Sequence, residues 1–178
     1  MTLKNLIEIR KNHAFNIKNF ELWFLNNLSR FGKIVNIKQI VGGQSNPTFV
    51  LNTSEDKTLI LRKKPPGKLL PSAHAIEREF RVQKALFRSN VPCPDMIFLY
   101  DKDDIIGTPF YIMTYEEGNV YENILEIKEK KIRKNCYLEL VRMLANLHNI
   151  DYKSVGLESF GKTGDYIIRQ IVRWEKQW

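Results

Sequence analysis

Three places in the sequence combine residue types that could hold a phosphorylated ligand. The run Val41-Gly42-Gly43-Gln44-Ser45-Asn46-Pro47 sets two glycines and two small polar residues between β-branched, apolar stretches. A short loop of that kind can bring backbone N–H groups against phosphate oxygens, and Gly42, Gly43, Ser45 and Asn46 suit the role. The same run also reads as an ordinary Gly-Gly hairpin turn. Arg62 ends the apolar run Thr58-Leu59-Ile60-Leu61 and offers a planar, always charged fork to a phosphate. A strand-end arginine in water is the competing reading. Lys63 falls on the opposite face by strand alternation and is expected in solvent. Glu79 lies beside Ile76, Phe80 and Gln83 at helical spacing, on the border of an apolar stripe. A carboxylate placed there needs a facing cation, because burying it alone is costly. Glu77 competes with it for that cation.

The elements that must position these groups follow from hydrophobic period and turn chemistry. Ile17, Phe20, Phe24 and Leu28 recur at helical spacing, Asn16 can cap the start, and Gly32 stands past the end, which predicts a helix over 16–30. Strands are expected over 34–40, 48–51 and 58–62, joined by short turns into an antiparallel meander. Pro65 and Pro66 cannot continue the third strand. A second helix is expected over 72–89 with Ser72 as its cap, ended by Val91-Pro92-Cys93-Pro94. Strands over 96–100 and 109–115 follow, and beyond Gly118 the pattern is helical. Tyr137, Leu140, Val141, Leu144 and Leu147 form one stripe. Ile167, Ile171, Trp174 and Trp178 form another, on a helix opening at Gly164-Asp165 and expected to pack partly on the first.

Composition excludes several classes. Hydrophobic residues make up 43% and charged residues 27% of the 178, which argues against disorder. No run approaches the roughly 18 apolar residues of a membrane helix. Lys4, Glu8, Arg10 and Lys11 interrupt the start, so a signal peptide is not expected. Much of the net charge of +8 is spread along the chain, with a dense run from Lys128 to Lys134 but no basic stripe interleaved with aromatics, so it reads as a solvated surface and nucleic acid is not the expected partner. Two distant cysteines, Cys93 and Cys136, make neither a disulfide framework nor a zinc site, and a cytoplasmic setting is expected.

The words Val41-Gly42-Gly43-Gln44-Ser45-Asn46-Pro47-Thr48, Leu61-Arg62-Lys63-Lys64-Pro65-Pro66-Gly67, Arg78-Glu79-Phe80 and Gly107-Thr108-Pro109-Phe110-Tyr111-Ile112-Met113 stand in an order that closely resembles the aminoglycoside phosphotransferase-like (choline-kinase-like) family. The branch most resembled is the phosphotransferase domain fused to acyl-CoA dehydrogenases. The resemblance covers roughly residues 34–178. It implies an α+β, protein-kinase-like small lobe, a five-stranded antiparallel sheet plus a helix, over 34–118. A helical segment over 1–33 would precede it, and the first helices of an incomplete large lobe would follow over 119–178. It also places Arg62 at the phosphate-binding position, selects Glu79 over Glu77 as its partner, and puts an adenine against Ile112, Met113, Thr114 and Tyr115. ATP and Mg²⁺ are the cofactors it implies.

Phosphoryl transfer depends on positioning and charge stabilisation, and the large lobe must supply an aspartate, an asparagine and a second acid for the metal. The family carries these in an H-G-D-x-x-x-x-N-like loop and a following D-W-E-like word, and neither occurs here. His148-Asn149-Ile150-Asp151 lacks the spacing. No catalytic residue and no metal ligand is therefore assigned. The expected function is the N-terminal part of a small-molecule phosphotransferase, ATP-dependent toward a hydroxyl group and inactive alone. The alternative is a nucleotide-binding or protein-interaction module without catalysis. Expected partners are a nucleotide, a small hydroxylated substrate in a complete enzyme, and the missing catalytic half or a second copy against the last helix.

Overall fold

The computed structural model describes residues 6–41, 46–67, 74–121, 123–161 and 164–176. Phe20, Trp23 and Phe24 fall three and four residues apart and are buried together, which makes Ile17–Asn27 an amphipathic helix, α1. The Asn16 side chain accepts a hydrogen bond from the Asn19 N–H at 3.1 Å, the expected N-cap. The helix stops at Asn27, short of residue 30, because Leu28 leaves helical geometry and Ser29–Phe31 tightens into a 3-10 turn.

One six-stranded antiparallel sheet forms the body of the fold. Its strands are β1 (Leu6–Ile7), β2 (Ile34–Ile40), β3 (Thr48–Thr53), β4 (Thr58–Lys63), β5 (Met96–Tyr100) and β6 (Phe110–Thr114), in the spatial order β1-β2-β3-β4-β6-β5. The first three strands of the expected meander are β2 to β4. The expected five strands become six because Leu6 and Ile7 pair with Ile40 and Gln39 along the edge of β2. The first 33 residues are thus not helical throughout. β6 enters between β4 and β5, with Arg62 opposite Tyr111.

The helix α2 (Ile76–Leu86) is shorter than the expected 72–89 span. Ala75 occupies its N-cap position without a side-chain bond, and Ser72 lies outside the described residues. Strand alternation sends the two faces of the sheet to different helices. On one face Phe49, Leu51, Leu59, Leu61, Phe110 and Ile112 pack with α1. On the other, Tyr111 and Met96 pack with Ile76 and Phe80 of α2, and Ile40, Val50 and Ile60 form an adjoining apolar cluster touched by Met113 and Tyr115.

Among the described residues beyond 118 the regular structure is helical, as expected: a 3-10 turn (Ile124–Glu126), α3 (Lys130–His148) and α4 (Tyr166–Glu175). Neither long helix contributes a buried residue. The expected packing of the α4 stripe on α3 is not found: Ile167 is 72%, Ile171 53% and Trp174 60% exposed, and the α3 stripe is exposed as well. Trp178 lies outside the described residues. Cys93 and Cys136 are free thiols. No helix among the described residues is long and apolar enough to cross a membrane.

Candidate functional site

The site gathers where the end of β4 meets the first turns of α2. Arg62 is the last residue but one of β4, and alternation turns it toward the α2 face while Leu61 and Lys63 turn toward α1. Glu79 sits one helical turn after Ile76, next to Phe80, so the burial of those two apolar residues against the sheet aims its carboxylate back at β4. Arg62 Nε and Glu79 Oε2 are 2.9 Å apart, with both side chains about one-third exposed. The Nε is itself buried and makes no aligned hydrogen bond, so the contact is a charge pair. Nη1 donates to Thr48 Oγ1 at 3.3 Å.

Two further donors converge on the same carboxylate. Asn46 Nδ2 donates to Glu79 Oε1 at 2.9 Å, and the Tyr111 hydroxyl donates to Oε2 at 3.0 Å. Asn46 is almost fully buried, and its Oδ1 meets His74 Nδ1 at 3.1 Å. His74 holds a left-handed backbone with φ of +56°. Burial and the neighbouring Glu79 charge push the Tyr111 phenol well above its ordinary range, so it stays a donor at any physiological pH. Glu79 is thereby held in place from the sheet, from the loop after β2 and from its own helix, and it holds Arg62 in turn. Glu77, the rejected competitor, is half exposed and pairs with Lys64 at 3.1 Å.

The structure therefore brings Asn46, Arg62 and Glu79 together. Gly42, Gly43 and Ser45 lie outside the described residues. Met113 and Tyr115 are on the Arg62 side, against Ile40, Val50 and Ile60. Ile112 is not: it is fully buried in the α1-side core, because neighbouring residues of a strand face opposite ways. Thr114 is committed to local structure, with its N–H bonded to Asp95 O and its hydroxyl between Asp95 N and Glu116. Sequence reasoning missed Tyr111 and His74. The signal for Tyr111 was available, since it shares the parity of Met113 in a strand beside β4. His74 carried none.

Lys63 does take the opposite face, but it is 1% exposed rather than solvated. The N-terminal segment covers it: Nζ lies 3.5 Å from His13 O and 5.4 Å from the Phe15 ring centroid. Burial lowers its pKa. Among the described residues no three His, Cys, Asp or Glu side chains gather as a metal site, so these residues do not by themselves fit Mg²⁺.

A family model described as the phosphotransferase enzyme family matches residues 36–178. The chain is 48% identical to acyl-CoA dehydrogenase family member 10 of Mus musculus, over 76% of this chain and 13% of that protein. It is 38% identical to acyl-CoA dehydrogenase family member 11 of Rattus norvegicus, over 98% of this chain and 23% of that protein. The crystal structure of a Ralstonia eutropha protein assigned as an aminoglycoside phosphotransferase superposes with a TM-score of 0.74 at 37% identity, over 92% of this chain and 47% of that one. The chain thus spans less than a quarter of these two curated relatives and about half of the solved structure.

Proposed function

The chain belongs to the phosphotransferase enzyme family, and from that membership we propose that it is the nucleotide-holding part of a small-molecule phosphotransferase that phosphorylates a hydroxyl group with ATP. The observation that carries the reading is the Arg62–Glu79 pair at 2.9 Å, set on the sheet face that Met113 and Tyr115 share. Arg62 is the phosphate ligand. Glu79 fixes its orientation, so that the guanidinium meets a triphosphate without first losing rotamer freedom. The apolar cluster of Ile40, Val50, Ile60 and Met113 is the surface against which the base lies. ATP would supply the transferred phosphoryl group; the Mg²⁺ that the family implies would find no ligand set among the described residues, and no step is assigned to it.

The aspartate that orients the acceptor and the acidic metal ligands belong to a further segment of the phosphotransferase fold. The resemblance to the acyl-CoA dehydrogenase-fused branch suggests a small organic or hydroxyacyl-CoA-type acceptor. A second reading, a nucleotide-binding or interaction module without transfer, draws on the absent H-G-D-x-x-x-x-N word and on the exposed apolar faces of α3 and α4.

Titration with a non-hydrolysable ATP analogue tests the assignment. Losing one charge-assisted phosphate contact should weaken binding roughly 10- to 100-fold in Arg62→Ala. Glu77→Gln, on the solvent side of α2, should leave it within about twofold. Equal affinity of Arg62→Ala and the unaltered chain, or no binding by the latter, refutes the reading.

A further inference from the structure

The segment following α3 reaches back across the molecule and grips α2 on the side opposite the sheet. Arg78 Nη1 donates to the Phe160 carbonyl at 2.9 Å, and its guanidinium lies 3.9 Å from the centroid of the Phe160 ring. Arg81, one turn further, donates from Nη2 to Ser159 Oγ at 2.7 Å and to the Gly156 carbonyl at 3.3 Å. The gripping loop is itself braced. Leu157 N bonds Tyr152 O at 2.8 Å, Phe160 N bonds Leu157 O at 2.9 Å, and Ser154 Oγ bonds Asp151 O at 2.8 Å. Asn146 of α3 adds a bond to Asn90 O, just past the end of α2. Surface arginines usually swing free. Here two of them, three residues apart on one helix face, are spent on backbone carbonyls and a ring more than seventy positions away.

Glu79 lies between those arginines in sequence and points the other way, into Arg62, Asn46 and Tyr111. An 11-residue helix is stiff over one turn, so a displacement of its outer face moves the Glu79 carboxylate with it. Ile76 and Phe80 seat the inner face of α2 on the sheet, and the arginine grip adds a second hold on its outer face. We propose that Arg78, Arg81 and Phe160 form a clamp by which the helical segment sets the Arg62–Glu79 pair, and hence tunes nucleotide affinity from outside the cleft. The three are positioning residues: none of them faces the cleft. The affinity consequence rests on the nucleotide reading above. The effect on the ion pair does not.

The test follows the Arg62 Nε–H by ¹⁵N-resolved NMR of the whole chain, its signal identified by its loss in Arg62→Ala. In Arg78→Ala/Arg81→Ala the hydrogen exchange of that Nε–H should quicken roughly tenfold, while the global unfolding midpoint moves little. Arg78→Lys/Arg81→Lys should recover part of the protection, because a lysine can still donate to a carbonyl but cannot stack flat on Phe160. Phe160→Leu keeps the carbonyl bond and removes only the ring, so it serves if the double alanine variant fails to fold, and it should quicken exchange about threefold. ATP-analogue affinity should fall in the same order as protection. Unchanged Nε–H exchange in both the double variant and Phe160→Leu overturns the clamp. Quickened exchange with unchanged affinity upholds the mechanical link and overturns its role in nucleotide binding. Failure of Arg62→Ala to affect affinity overturns the underlying reading alone.

Discussion

Replacing Glu79 by glutamine removes the charge but keeps the shape of the group on which Asn46, Tyr111 and Arg62 converge. The carboxylate accepts from Asn46 and Tyr111 and pairs by charge with Arg62, whereas an amide has one accepting oxygen and presents its own N–H groups to whatever meets the other end. At least one of the Asn46 Nδ2 and Tyr111 hydroxyl donors is then orphaned, and both residues are more than nine-tenths buried. An unsatisfied buried donor costs about 1–3 kcal/mol. The bond that survives loses its charge assistance, which is roughly half its strength. The Arg62 contact is about one-third exposed on each side, so solvent screening limits it to about 1 kcal/mol or less. The sum is about 2–4 kcal/mol, or a fall in melting temperature of roughly 5–15 °C for a chain of this size. Urea denaturation followed by Trp23 fluorescence reads this directly, since that ring is buried against Phe20, Phe98 and Phe110. Tyr111→Phe should cost about 1.5–2 kcal/mol alone and about 0.5 beside Gln at position 79, a coupling of about 1 kcal/mol. A Glu79→Gln cost below about 0.5 kcal/mol with no coupling to Tyr111 would refute the convergence argument.

Lys63→Met should be at least as stable as the native chain at neutral pH, because the ammonium is buried and, among the described residues, meets one carbonyl at 3.5 Å and an aromatic ring. Burial sets its folded pKa below 10.5, so between that lowered value and 10.5 the unfolded chain binds more protons and native stability rises with pH. The difference between native and Met variant measured up to pH 10 should show that rise, and a flat difference would sink it. Tyr100 and Tyr111, both raised above 10.0, act in the opposite direction only at higher pH and cancel in the comparison. Gly32→Ala should cost about 1–3 kcal/mol, because φ +76° and ψ −156° suit glycine alone. Its added Cβ would also come within 2.3 Å of Ser54 Oγ, the acceptor of the Lys33 N–H. Combining it with Ser54→Ala removes that contact but neither the 2.8 Å approach to Glu55 Cγ nor the backbone strain, and full recovery in that double variant would contradict this account.

What could be read from the sequence was local. Asn16 announces α1 because an Asx side chain satisfies an orphan N–H three residues on, and Pro65 closes β4 because it lacks a ladder donor. Arg62 and Glu79 were legible too. Period two puts Arg62 on one face of a strand and period 3.6 puts Glu79 at the edge of a buried stripe, but the choice of Glu79 over Glu77 and the phosphate role of Arg62 came from the resemblance to the family's words. What depended on distant segments was not legible. Lys63 was placed on the correct face but expected in water, since nothing near it in the chain shows that His13 and Phe15 fold over it. Leu6–Ile7 is too short to announce itself as a strand until Ile40 offers an unpaired edge. The insertion of β6 between β4 and β5 put Tyr111 opposite Arg62 and Ile112 in the other core. The stripes on α3 and α4 carry the period of buried helices and are exposed, because a repeat of apolar residues records that a face is suited to burial, while only the packing of the chain supplies something to bury it against.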